Sequence, residues 1–188
     1  QLQYSGGCSD ETLEVLTPLL HDADLAGAAV RTILMSAGEG DRVVALFRNA
    51  LNGTKGRPRA TIIQALGRLR DGASVPVLLK DAASNNEVVR RAAVYALGNI
   101  GAPEAAEAIR NAVQRASGYE KREMRDNFFR YLLRLSDEGH PRKAADLSRQ
   151  LMAEHPEDEA VQCAGLTVLA GIGDAQTLHS STLDFFWA

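Results

Sequence analysis

The sequence predicts an all-α fold, an α-solenoid (superhelix) of about five antiparallel helix pairs, and three observations carry that expectation. The stretch 89–101, V-R-R-A-A-V-Y-A-L-G-N-I-G, recurs in weaker form at least four more times. Aligning Leu34, Leu66, Leu97, Leu132 and Leu169 gives intervals of 32, 31, 35 and 37 residues. One helix pair of that length leaves an apolar face bare, so stacked copies sharing a continuous core are the stable arrangement. Composition agrees: 45% of the residues are hydrophobic but only 5% aromatic, an alanine- and leucine-rich helical balance. A chain of 188 residues suits one elongated domain in which each interior layer is covered on both sides.

Helix pairs are expected at about 10–20/24–37, 41–52/57–69, 73–83/86–100, 103–116/119–136 and 141–154/157–172. The first copy contains Ala28-Ala29-Val30-Arg31-Thr32-Ile33-Leu34 and is degenerate. In the second, Ala65-Leu66-Gly67 matches Ala96-Leu97-Gly98, and Val75-Pro76-Val77-Leu78-Leu79 opens the following helix. In the third, Val89, Ala92, Ala93, Ala96, Leu97 and Ile100 fall at three- and four-residue spacings, hence on one face. Asn85 and Asn86 stand where an N-cap is needed and Gly101 where a helix stops. Pro103 suits a first turn, because its missing donor is unneeded there, and Ala106, Ile109 and Val113 then point inward. The fourth copy, Asn127 to Leu135, replaces alanines with Phe128, Phe129 and Tyr131, which predicts wider helix spacing. The fifth, Val161 to Asp174, uses Cys163 and Gly165 as small residues.

Residues 89–101, with 58–69 and 161–174 as weaker copies, resemble HEAT repeats, most closely the short bacterial type also found in phycobilisome lyases. The resemblance covers about 24–178 and is strongest over 58–110. It implies stacked helix pairs whose second helices line a concave side, and a family made up mostly of scaffolds and adaptors. Residues 141–154 with Pro156 also look like a tetratricopeptide helix, although Leu169-Ala170-Gly171-Ile172-Gly173 follows the HEAT pattern.

The expected organisation is an N-terminal extension at 1–9, a repeat array at 10–178 and an aromatic segment at 179–188. Asp174 to Leu178 reads as the opening of another repeat that then stops. Leu183, Phe185, Phe186 and Trp187 are expected to fold back over the last helix pair as a cap; the rival readings are a segment inserted into another copy or domain and a remnant lying free. With Gln1 in place of Met, the chain reads as a processed or an excised piece, and an excised domain of a larger protein is the favoured reading. Cys8 and Cys163 lie too many layers apart for a disulfide, and Cys163 reads as a packing residue. Compartment is not legible from two cysteines.

The net charge of −3 conceals a strong arrangement. Residues 1–41 and 151–188 carry −6 each, whereas 42–150 carry +9, a basic waist that would attract an anionic partner. If Val89, Ala93, Ala96 and Ile100 face the core, then Arg91, Tyr95 and Asn99 form an outward stripe at four-residue spacing. Carried through the alignment, the stripe becomes Ala28, Thr32, Ser36; Ala60, Gln64, Arg68; Asp126, Arg130, Arg134; and Cys163, Thr167, Gly171. Its partner-binding candidates are Arg68, Arg91, Tyr95, Asn99, Arg130 and Arg134, because planar guanidiniums beside a phenol anchor protein and phosphate groups. Arg59 and Arg90 recur in register and are expected to bond carbonyls of the adjacent layer instead.

No catalytic set stands out. His21, His140, His155 and His179 form no pair at metal-ligand spacing, and His140-Pro141 and His155-Pro156 read as helix entrances. Gly6-Gly7 and Gly38-Glu39-Gly40 lack the strand that a phosphate-cradling loop requires. The reading is a non-catalytic scaffold or adaptor, without cofactor or metal, that binds an acidic or phosphorylated protein partner on its concave face. The alternatives are a bilin lyase or isomerase, following the resemblance, and a nucleic-acid module using the basic waist. Nucleic acid is disfavoured because the acidic ends repel a long polyanion.

Overall fold

The computed structural model describes residues 10–37 and 40–173. The extension 1–9 with Cys8, the dipeptide Gly38-Glu39 and the aromatic segment 179–188 with its expected cap lie outside the described residues. Among the described residues the chain is all-α, of the α-solenoid class, with no strand. The helices are α1 (Asp10–Leu16), α2 (Ala26–Ala37), α3 (Asp41–Leu51), α4 (Gly56–Arg68), α5 (Val75–Ala82), α6 (Glu87–Ile100), α7 (Ala106–Arg115), α8 (Gly118–Asp137), α9 (Pro141–Glu154) and α10 (Glu159–Ile172). Helices α1 and α2, α3 and α4, α7 and α8, and α9 and α10 contact as pairs, as the spacing predicts, and short 3-10 turns at Pro18–His21, Gly72–Ser74 and Pro103–Ala105 complete three of the first helices. None of the described helices is long and apolar enough to cross a membrane.

By contacts the chain forms two compact units, 1–97 and 98–188. In the first, Leu20, Ile33, Phe47, Ile62, Ile63, Leu66, Leu78 and Leu97 are fully buried and make the core. Burying a side chain of this size contributes about 1.5–3 kcal/mol each. Arginines tie its helices together. Arg48 forms a two-pronged pair with Asp71 at 2.7 and 2.9 Å, and Ser74 also donates to Asp71. Arg59 donates to the Leu51 carbonyl at 2.9 Å and to the Asp81 carboxylate at 2.8 Å, while Arg90 donates to the Ser84 carbonyl at 3.0 Å. Arg59 and Arg90 thus bond carbonyls as their repeated register suggests, but those of their own repeat and not of the adjacent layer; Arg59 reaches the next repeat through the Asp81 carboxylate. Asn86 caps α6 by accepting from the Val89 N–H at 3.2 Å.

The end of α4 departs from the pattern of its fellows. Arg70 N–H bonds the Gly67 carbonyl and Asp71 N–H the Leu66 carbonyl, the two bonds of a Schellman ending. That ending puts Arg70 at φ +54°, and it is the one non-glycine residue with positive φ among the described residues. The left-handed conformation costs an L-residue about 1–2 kcal/mol. A cation at a helix C-terminus returns about 0.3–1 kcal/mol.

In the second unit, Ile109, Met124, Tyr131, Leu132, Leu135, Val161 and Leu169 are fully buried. Phe128 and Tyr131 stack with ring centroids 6.0 Å apart, and the Tyr131 hydroxyl donates to the Ala102 carbonyl at 3.1 Å. Burial holds that phenol protonated well above its ordinary range. Three expectations need correction here. Cys163 is exposed and free, because the small residue that α10 packs against α9 is Gly165, beside Met152 and Ser148. Around Ile109 of α7, Ala112 and, in the preceding 3-10 turn, Ala105 are buried, whereas Ala106 and Val113 are half-buried. Finally, Pro141 opens α9 as expected, but His155 ends that helix, and the entrance to α10 is capped by Asp158.

Candidate functional site

The stripe is set by how each second helix buries its opposite face. In α6, Val89, Ala92, Ala93, Ala96, Leu97 and Ile100 are buried, leaving Arg91, Tyr95 and Asn99 half-exposed on the other side. In α8 the buried set Met124, Asn127, Phe128, Phe129, Tyr131, Leu132 and Leu135 follows α6 at a constant offset, confirming the Leu97–Leu132 alignment. In α2 the alignment slips by one residue. Ile33 is fully buried, together with Ala29 and Val30, while Leu34 is half-buried. Ile33 therefore stands where Leu66 and Leu97 stand. The α2 residues that take up the stripe of α4 and α6 are Gly27, Arg31 and Met35; Ala28 and Thr32 are also exposed, and Ser36 is half-buried, but none of these three lines the groove described next. Ala60 leaves the stripe as well, being buried in α4.

Once the register is corrected, a groove appears along it. Gly27, Val30, Arg31, Leu34 and Met35 of α2, Thr61, Gln64, Ala65 and Arg68 of α4, and Tyr95 of α6 enclose about 580 Å³. That volume falls in the range of about 300–1,000 Å³ usual for ligand clefts, although this one is open along its length. Val30, Leu34 and Ala65 supply an apolar floor, and Met35 stands 83% exposed at the rim. Arg31, Gln64 and Tyr95 occupy one level of successive second helices, with Met35 and Arg68 one turn further along. Every charged group lining the groove is an arginine.

At the next seam Gly67 lies against Ala96, where a Cβ would come within 2.6 Å of the Ala96 Cβ. The α2 residue equivalent to Gly67 is Leu34, a half-buried leucine that lines the groove where the next seam has a glycine.

Of the residues expected from sequence, Arg68 and Tyr95 share the groove. Arg91 pairs with Glu87 at 3.4 Å one turn back on its own helix. Asn99 is half-buried, with its side-chain nitrogen enclosed. Arg130 and Arg134 belong to α8 in the second unit. Arg130 donates to Asn127 at 2.9 Å, and Arg134 lays its stem across Gly101 while pairing with Asp137 at 3.2 Å. Arg31 and Met35 were missed by sequence reasoning, although a signal existed. The Leu34 alignment sets Arg31 opposite Ile63 and Val94, both fully buried, a place where an arginine without an acid partner does not belong.

A second groove of about 740 Å³ runs between α1 and α3, lined by Leu13, Pro18, His21, Leu46 and Ala50. Its rim carries both signs, and its arginine, Arg42, is already paired with Asp10. Among the described residues no group of three or more His, Cys, Asp or Glu is placed to hold a metal.

Residues 43–127 match the family model for HEAT repeats. That segment runs from α3 into α8 and includes two of the three helices lining the groove. No curated protein and no solved structure matches the chain significantly.

Proposed function

We propose that this protein is a non-catalytic scaffold that binds an acidic or phosphorylated segment of a protein partner in the groove between α2, α4 and α6. HEAT repeats commonly serve protein interaction, and the match over 43–127 supports that class. The observation that carries the finer reading is the charge of the groove: Arg31 and Arg68 stand over an apolar floor beside Tyr95, with no acidic side chain in the lining. Arg31 makes no ion pair or hydrogen bond among the described residues, so its guanidinium is open to a ligand carboxylate or phosphate. Arginine, tyrosine and methionine are the residue types enriched at protein interfaces. The bilin-lyase and nucleic-acid readings draw no comparable support from the groove.

Two fluorescein-labelled probes test this, a short peptide alternating glutamate and leucine and its counterpart carrying phosphoserine. Binding measured by anisotropy should fall more than about tenfold in Arg31→Glu/Arg68→Glu, with helical circular dichroism unchanged. The same loss with both probes indicates a site for negative charge in general, and a loss confined to one identifies the group recognised. Undiminished binding of both would refute the groove.

A further inference from the structure

We propose that Arg70 is a partner-contacting residue that extends the cationic end of the groove and takes a second acidic side chain of the same segment; this rests on the reading just given. The backbone does not ask for an arginine there. At the matching helix ends α6, α8 and α10 place Gly101, Gly139 and Gly173, all at positive φ, and glycine accepts that conformation without a Cβ clash. The α8 ending has the same two bonds as α4, with Gly139 where α4 has Arg70. Attraction between a cation and the helix C-terminus returns less than the conformation costs, and Arg68 in the last turn already supplies such a cation.

Pairing does not account for it either. The Arg70 side chain is exposed and makes no hydrogen bond or ion pair among the described residues. The adjacent carboxylate, Asp71, is buried and held by Arg48 and Ser74. Strained conformations kept against an easier alternative collect at functional sites. Position supplies the role: Arg70 follows Arg68 by two residues, so their Cα atoms lie within about 7.6 Å, where α4 leaves the groove. The two planar guanidiniums face successive acidic groups of a segment that runs out past the end of α4.

The test is Arg70→Gly in the whole chain, read by thermal melting and by anisotropy with the glutamate–leucine peptide. Lys80→Ala, which removes one exposed charge from α5, controls for net charge. The melting temperature should rise as the strain is relieved, while affinity falls about three- to tenfold beyond the control. A lower melting temperature would show that the arginine serves the fold, and binding equal to that of Lys80→Ala would show that it serves no contact; either result overturns the proposal. If Arg31→Glu/Arg68→Glu loses binding while Arg70→Gly does not, the groove stands and only Arg70 is removed from it. If neither loses binding, both readings fall.

Discussion

Leu97 illustrates what one side chain does in this fold. It is fully buried in the most regular repeat, where alanines bring the helices close and leave little room for neighbours to collapse into a void. Leu97→Ala should therefore cost about 2–5 kcal/mol in a denaturant titration. A change within error of zero would mean that the core face is wrongly assigned. Asp158 acts by charge instead. Its carboxylate accepts the Val161 N–H at 3.2 Å and pairs with Arg125, and these contacts, the backbone bond foremost, hold its pKa below the usual carboxylate value. A folded pKa lowered below the unfolded one stabilises fully above the ordinary carboxylate range and loses that contribution as pH falls through the folded value. Asp158→Ala should then melt lower than the parent at neutral pH, with the difference closing below about pH 4. A gap that persists in acid would point to lost packing instead.

Between elements, the glycine after the core leucine of the second and third copies decides how near two second helices come. Gly67 meets Ala96 and Gly98 meets the Asn127 carbonyl, where a Cβ would lie 3.0 Å away. Gly67→Ala gains up to about 1 kcal/mol of helix propensity. It must also drive α4 from α6, and overpacking of that kind costs about 1–3 kcal/mol. The expected result is a net loss of about 1 kcal/mol or more, measured by chemical denaturation. Gly27→Ala is the contrast: nothing lies within 4 Å of its would-be Cβ, so stability should stay within about 0.5 kcal/mol. Equal effects at the two sites would separate the seam from the glycine pattern. In α2 the same seam position holds Leu34, which lines the groove.

At the scale of the whole sequence, charge serves both the fold and the proposed groove. The net charge is only −3, yet residues 42–150 carry +9 between two stretches of −6. Many of those cations have structural partners: Arg48 and Arg59 hold Asp71 and Asp81, while Arg110 and Arg125 hold Glu154 and Asp158. Of the basic residues, Arg31 and Arg68 line the groove, and Arg31 comes from the acidic N-terminal stretch. Binding of the acidic probes should weaken as salt rises, since charges this exposed are screened over roughly 10 Å at 0.1 M. Salt-independent binding would assign the affinity to the apolar floor instead.

Repeat length, the core faces of α6 and α8, most of those of α4 and α10, where Ala60 and Cys163 are the exceptions, and a carbonyl-bonding role for Arg59 and Arg90 were legible in the sequence. They rest on local periodicity, and a helix must bury the face on which its apolar residues recur. The register of α2 was missed because Ile33 and Leu34 are adjacent and equally apolar; the one sequence signal was Arg31 falling opposite Ile63 and Val94, and packing places Ile33 in the core. That one-residue choice turns Arg31 and Met35 into the groove and Thr32 out of it. Nor could a repeat pattern show that Leu34 lines a groove where the next seam has a glycine, or that Arg70 bears a left-handed backbone. Those are distances between helices and angles at their ends, set when the layers meet and not by any residue alone.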